Sequence, residues 1–340
     1  MVSPFKIKKL ILKSYFCVMK ICVISFDFWH YDEYIVEKLK EKGVDAYHIN
    51  IGAFTHKNFA ERLKNTASKV LTGRNLKHEK RQNFILESLE KIGIQDQILV
   101  INPEAIEKRV HDKIRQFARR NIAYLYDSMA RNPAEHILHY FDDVFSFDDD
   151  DVKKFGFQKI TNYNYLPYQP SEKIPERDLF YITSYDKTRI ARLQQLIHKT
   201  RKINAKFRVI VAGKKSWKNQ LAQIFKKENA DILTFRRKNI SQKNLPDLYK
   251  NTKAILDLQR ENQTGLSFRI FEAMALEKKF VTDNEKIESY DFYNPQNILI
   301  LNKDFSNVEK SFFGTEYQKL PQDIYEKYTL DHWIKTVFKL

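Results

Sequence analysis

From Lys20 onward, short apolar runs alternate with amphipathic stretches. KICVISF (20–26) has the length and β-rich composition of a buried strand. Tyr34 to Lys42 places Ile35, Val36 and Leu39 on one side at helical spacing, and Gly43 follows where a helix end favours a left-handed residue. VDAYHINI (44–51) is the next strand, and a strand–helix–strand unit of about 30 residues predicts a right-handed parallel crossover. The rhythm continues with a helix over 83–92, a strand over 97–102, a helix over 106–119 and strands over 121–127 and 142–147. ITNYNYLPY (160–168) then runs into Pro167, Pro170 and Pro175 with Ser171 and Glu172, a hinge-like composition that puts a domain boundary near residue 172. The second half repeats the alternation: strands over 178–184, 207–213, 230–235, 253–259, 279–284 and 297–301, helices over 188–200, 217–228, 245–251 and 268–276, and a terminal helix over 333–338. The predicted fold class is α/β, with two Rossmann-like parallel-sheet domains (19–172 and 173–325) facing across a cleft and a C-terminal segment (326–340). Ligands of such folds sit at the carboxyl ends of the strands.

Composition narrows the classes. Hydrophobic residues make up 43% and aromatics 14%, too much apolar material for global disorder. Cys17 and Cys22 are the two cysteines, too few for a disulfide framework or a Cys-based zinc site. No apolar run approaches the ~18 residues needed to cross a bilayer. The eight glycines include no Gly-x-Gly-x-x-Gly and no phosphate-loop order, so a NAD-type or P-loop enzyme lacks its signature. Residues 1–18 are basic and apolar, but Lys13 interrupts the stretch and no small-x-small pattern follows. They read as an extension ahead of a domain start at Met19, or as a short amphipathic membrane-surface segment.

The most informative segment is LPDLYKNTKAILDLQRENQTGLSFRIFEAMALEKKFVTDN, Leu245 to Asn284. Its order is a short helix with Tyr249, a strand, a Thr264-Gly265-Leu266-Ser267 loop, a helix carrying Arg269 and Glu272-Ala273-Met274-Ala275, and a strand Phe280-Val281-Thr282-Asp283. This order resembles the nucleotide-sugar-binding half of GT-B glycosyltransferases, and the form Arg269-x-x-Glu272-Ala with the following Val281-Thr282-Asp283-Asn284 looks closer to the bacterial branch of lipopolysaccharide, capsule and spore-envelope sugar transferases. YDFYNPQNILIL (290–301) is similar to the envelope members as well. The resemblance implies a donor site in the second domain and an acceptor site on the first. It also implies a final helix that crosses back onto the N-terminal domain. A glycine loop feeding a helix N-terminus presents free backbone N–H groups to a diphosphate. Gly265 would let the backbone approach closely, Ser267 would cap and donate, and Arg269 would reach a phosphate. Glu272 would take the ribose hydroxyls, as the resembled family's helix glutamate does. Two positions depart from the pattern: Thr264 stands where many retaining relatives carry a second glutamate, and Glu277 stands where the pattern has glycine. The stereochemical outcome is therefore left open.

The net charge is +16, and Lys199 to Lys250 holds 15 Lys/Arg against three Asp/Glu. This density reads as a solvated face, as attraction to an anionic membrane surface, or as a cradle for diphosphate. Arg236 and Lys238, in the loop after ADILTF, and Lys187, after DLFYITS, are the candidate phosphate-side cations. On the acceptor side, His30 and Asp32 follow the first strand and Asp127 ends NIAYLYD. Each could take a proton from an acceptor hydroxyl, or serve only in a helix cap or in packing. Asp148 to Asp151 could hold a divalent cation, but the run also reads as a helix N-cap with first-turn acids, and no metal is expected.

The expectation is a bacterial glycosyltransferase that moves a sugar from a nucleotide-sugar, a UDP-sugar first, to a cell-envelope glycan or lipid-linked acceptor. It would need no further cofactor and would work in the cytoplasm, with peripheral contact to the inner membrane face. Nucleic acid is not an expected partner, because no helix-turn-helix, zinc or RNP pattern occurs. The alternatives are a basic polyanion-binding α/β protein and a non-catalytic nucleotide-binding one.

Overall fold

The structure is a computed structural model. It describes residues 18–340 apart from 28, 53–64, 67, 69–70, 74, 172–173, 214–228, 230, 239 and 261–262. The helix expected over 217–228 lies outside the described residues. The described strands form two six-stranded sheets, parallel throughout. The first contains β1 (Lys20–Ser25), β2 (Asp45–Asn50), β3 (Gln95–Ile101), β4 (Ala118–Leu125), β5 (Asp143–Ser146) and β6 (Gln158–Lys159), in the order β2-β1-β3-β4-β5-β6. The second contains β7 (Arg177–Ser184), β8 (Phe207–Ala212), β9 (Leu233–Arg236), β10 (Thr252–Asp257), β11 (Lys279–Thr282) and β12 (Ile298–Ile300), in the order β12-β11-β10-β7-β8-β9.

The apolar runs arise because these sheets are covered on both faces. Successive side chains of a strand point to opposite faces. Ile21 and Val23 therefore join one core while Cys22 and Ile24 join the other. In the second sheet Ala254 and Leu256 face one core and Ile255 the opposite one. The helices that follow the strands are α1 (Asp32–Glu41), α2 (Leu76–Ile92), α3 (Lys108–Phe117), α4 (Asp149–Phe155), α5 (Lys187–Lys202), α6 (Leu245–Lys250) and α7 (Phe268–Ala275). Helix α2 begins seven residues before the expected start. Its first turns, LKHEKRQ, carry almost no apolar pattern, and Asn75 caps them by accepting the His78 N–H at 3.3 Å.

The chain ends in α8 (Gln322–Lys327) and α9 (Leu330–Phe338). Helix α9 packs on the first sheet, not the second. Leu330, Trp333, Ile334, Val337 and Phe338 share a core with Ile21, Val23, Leu99 and Ile122. The Trp333 ring meets Tyr124 edge-on at 5.1 Å and Tyr163 at 5.0 Å. Polar contacts fix its end: Gln97 donates to the Phe338 carbonyl at 2.8 Å and Arg120 to the Val337 carbonyl at 2.9 Å. Each sheet has its strand-order reversal between neighbours that leave in opposite directions, β1/β3 in the first and β7/β10 in the second. Such switch points open a crevice at the strand carboxyl ends, and here the two crevices face each other.

Trp333→Ala removes the centre of the α9 contact and is expected to cost about 3–5 kcal/mol, the usual range for emptying a buried Trp site. Thermal or denaturant unfolding measures the loss. An unchanged midpoint would show that α9 does not hold the first domain.

Candidate functional site

The facing crevices enclose a cavity of about 440 Å³. From the first sheet it is lined by the loop after β1 (Phe26, Asp27, Trp29, Tyr31, Asp32), the loop after β3 (Ile101, Asn102, Glu104, Ala105) and Tyr126 and Asp127 after β4. From the second sheet come Ile182, Thr183 and Ser184 at the end of β7, Arg189 on α5, Asp257 to Arg260 after β10, and Gly265, Ser267, Phe268 and Arg269 at the start of α7.

The loop ahead of α7 is bound to the first domain along its length. Asp148 is the N-cap of α4 and accepts from the Asp150 and Asp151 N–H groups at 3.1 and 3.3 Å. Its other oxygen accepts the Thr264 N–H at 2.7 Å, and the Thr264 hydroxyl accepts the Asp149 N–H at 3.1 Å. Asn162 donates to the Leu266 carbonyl at 2.8 Å. At Gly265 a Cβ would stand 2.3 Å from the Phe147 ring and 2.7 Å from its carbonyl oxygen, so no larger residue fits. The close approach that Gly265 permits in this structure is thus to Phe147 of the first domain.

Three of the four carboxylates of the 148–151 run have other employment. Asp151 accepts the Met129 N–H at 2.7 Å, Asp149 pairs with Lys159, and Asp150 is exposed. Elsewhere Asp27, His30 and Glu33 bring one potential ligand atom each within 4.8 Å of one another. However, Asp27 already accepts the Asp32 and Glu33 N–H groups at 3.1 Å each, capping α1 from the end of β1.

On the second-domain wall, Ser267 caps α7 by accepting the Arg269 N–H at 3.3 Å. The Arg269 guanidinium pairs with Asp257 at 2.8 Å and donates to the Ile182 carbonyl at 2.9 Å. Two further arginines line this wall. Arg189 is 6% exposed, donates to the Ser184 hydroxyl at 3.4 Å, and keeps a buried Nε with no hydrogen-bond partner. Arg260 lies 3.9 Å from Asp127. Burial, then the charges of Arg189 and Arg131, hold its pKa below the usual arginine value. Cations crowded at a partly desolvated surface favour an anionic ligand.

The first-domain wall is acidic. Asp32 is 2% exposed and accepts from the Tyr126 hydroxyl at 2.7 Å. Burial, followed by the Asp27 charge, pushes its pKa up to about 7. Burial also raises Glu104, which Asn132 bridges at 3.0 Å while reaching Asp127 at 3.3 Å.

Of the residues singled out from sequence, Asp32, Asp127, Gly265, Ser267 and Arg269 line the cavity. His30 projects outward with φ +60° and a side chain 67% exposed. Lys187 opens α5 and, like Arg236 and Lys238, is exposed and away from the lining. Thr264 and Leu266 make the interdomain bonds above. Glu272 is fully buried beneath the cavity floor, where its Oε1 accepts from Tyr165 at 2.7 Å and burial raises its pKa. Glu277, at the position where the pattern carries glycine, keeps the left-handed backbone with φ +50°. The sequence reading missed Asp27, Glu104, Arg189 and Arg260. Arg260 follows β10 and Arg189 follows the capping residue Asp186 by three after β7, whereas Arg236 is itself the last residue of β9, so position after a strand was the usable signal.

The comparisons with known proteins point the same way. Residues 189–326 match the family model described as "Glycosyl transferase-like". No curated protein matches the chain by sequence. Among solved structures, the lipopolysaccharide outer core galactosyltransferase WaaB aligns with a TM-score of 0.55 at 12% identity, over 94% of this chain and 99% of that one. An alpha-glucosyltransferase in complex with UDP and a 13-mer DNA aligns with a TM-score of 0.61 at 12% identity, over 95% and 99%. HepE from Anabaena in complex with UDP-glucose aligns with a TM-score of 0.59 at 10% identity, over 94% and 98%. At these identities the likeness is one of fold, and the fold is GT-B.

Two outcomes follow from the geometry. Asp148→Ala removes a cap and strands the Thr264 N–H, so it is expected to cost about 2–4 kcal/mol, while the exposed Asp150→Ala should cost under about 1 kcal/mol. Equal effects in unfolding experiments would refute the capping role. Because the folded-state pKa of Asp32 lies above its unfolded value near 3.9, the contribution of Asp32 to stability falls as pH rises from about 4 through about 7. Asp32→Asn should flatten that decline when midpoints are compared at pH 5 and pH 8.

Proposed function

We propose that this chain, a GT-B protein with a glycosyltransferase domain, moves a sugar from a UDP-sugar to a hydroxyl of a cell-envelope glycan or a lipid-linked acceptor. The observation that carries this reading is the division of the cavity: Arg189, Arg260 and Arg269 on the second-domain wall face Asp27, Asp32, Glu104 and Asp127 on the first. The cationic wall suits a diphosphate. The acidic wall suits a neutral hydroxyl-bearing acceptor and would repel a nucleic-acid backbone.

In the proposed reaction the acceptor oxygen attacks the anomeric carbon, and the bond from that carbon to the diphosphate oxygen breaks with its electron pair leaving on the phosphate. The acceptor proton passes to Asp32, whose pKa near neutrality suits a base at physiological pH. Asp127, half-buried on the same wall, is the second candidate. Charge growing on the leaving diphosphate is met by Arg189, Arg260 and the N-terminus of α7, with no water-sized reorganisation needed. Transfer is proposed to need no metal, since three of the four 148–151 carboxylates serve the α4 cap and its neighbours. The described residues contain no helix long and apolar enough to cross a membrane. The lysine-rich second domain supports the proposed peripheral contact with the anionic inner face of the cytoplasmic membrane, and a cytoplasmic location is part of that proposal.

Thermal shift against UDP, GDP, CDP and ADP and their sugars, with EDTA present, tests the donor site. UDP is expected to raise the midpoint by about 2–6 °C at saturation. Arg189→Ala or Arg260→Ala should weaken binding by about tenfold or more. Absence of any shift would refute the donor site, and a shift seen only with added Mn²⁺ or Mg²⁺ would refute metal independence.

A further inference from the structure

Two tyrosines of the first domain, Tyr31 and Tyr165, reach the buried Glu272, and of the two it is Tyr31 that lines the cavity. Tyr31, in the loop after β1, lines the cavity and stacks flat on Phe268, with ring centroids 3.9 Å apart and planes within 5°. Its ring also meets Tyr165 edge-on at 5.3 Å. Its hydroxyl lies 3.5 Å from Glu272 Oε1, at the outer limit of a hydrogen bond. The residue before it, His30, holds φ +60°, a conformation that non-glycine residues seldom adopt, and the Tyr31 carbonyl is gripped by the Tyr163 hydroxyl at 3.1 Å.

Glu272 is incompletely satisfied where it sits. It is 0% exposed and its Oε2 makes no well-formed hydrogen bond, although the adjacent Tyr249 hydroxyl, itself without another partner, offsets part of the rise in its pKa. A buried carboxylate oxygen left without a donor is costly. Tyr31 therefore covers Glu272 without fulfilling it. Withdrawal of the Tyr31 ring would join Glu272 to the cavity, one helical turn from Arg269. A ligand that offers two adjacent hydroxyls next to a diphosphate could then replace the Tyr31 contact on Oε1 and supply the donor that Oε2 lacks.

Resting on the nucleotide-sugar reading above, we propose that Tyr31 is an internal competitor for the donor. It occupies the approach to Glu272 in the nucleotide-free protein, and the vicinal diol of a nucleoside diphosphate displaces it. The N-terminal domain thereby holds the donor subsite shut, and donor binding is coupled to movement of the β1–α1 loop. The sign of this coupling separates it from an ordinary contact. A tyrosine that binds the ligand loses affinity when truncated, whereas a competitor's truncation gains affinity.

Calorimetric titration of UDP into wild type, Tyr31→Phe and Tyr31→Ala decides the matter, with thermal unfolding of each variant as the check of folding. Tyr31→Ala is expected to bind UDP about threefold to tenfold more tightly, the scale of one competing hydrogen bond and its ring contact. Tyr31→Phe keeps the stack on Phe268, loses only the hydroxyl, and should bind more tightly by a smaller factor. It decides the question by itself if the alanine variant does not fold. Weaker or unchanged UDP affinity in the folded variants would overturn the competitor role while leaving the donor site standing. Failure of wild type and every folded variant to bind any of UDP, GDP, CDP and ADP would overturn the donor site, and the competitor role with it.

Discussion

The architecture depends on a single seam, the bond between the turn that starts α4 and the loop that starts α7. Asp148 serves both sides at once, one oxygen holding the first turn of its own helix and the other holding the Thr264 N–H across the interface. Gly265 then passes so close to Phe147 that only a hydrogen can fill the space. Because backbone groups and a steric limit fix this contact, the N-terminus of α7 has little freedom relative to the first sheet. Everything that faces the cavity from α7 inherits that placement.

The two domains contribute opposite charge to the space they enclose, and this division does not follow from the net charge of the chain. A protein of +16 presents a carboxylate-lined wall from its first domain because each acid sits in the segment that follows the carboxyl end of a parallel strand, Asp32 at the first position of α1 among them. The arginines of the other wall arrive in the same way after β7 and β10. Most of the lysines counted between Lys199 and Lys250 lie away from the cavity among the described residues, so charge density along the sequence and charge density in the site are different quantities. Burial is the first cause both of the raised pKa of Asp32 and of the lowered pKa of Arg260.

The aromatic residues at the seam connect packing to chemistry. Phe268 receives Tyr31 on its face and Tyr126, Tyr163 and Tyr165 at its edges, so one ring gathers four tyrosines from the other domain. Two of these hydroxyls, Tyr126 and Tyr163, bond each other at 2.9 Å, and Tyr126 also holds Asp32. The acid proposed as the base and the residue proposed as the competitor therefore rest on a shared aromatic support.

The sequence by itself determined the α/β alternation, the two sheets and the Ser267 cap that opens α7. Apolar periodicity and strand-ending residues are local properties, and burial on both faces of a sheet writes them directly into the chain. It also determined that Asp148 caps a helix, since an Asp run ahead of VKKF carries that signal locally. Which candidates share a cavity was decided by tertiary structure. His30 and Asp32 are two residues apart, yet a left-handed backbone at His30 turns one outward and leaves the other buried. Arg189 and Arg260 lie 71 positions apart in the chain and come to the same wall only because β7 and β10 are neighbours in the sheet. That Gly265 is required by Phe147, and that Glu272 lies under Tyr31, are contacts between domains. No local pattern encodes such contacts, because they are set by how two independently formed sheets dock.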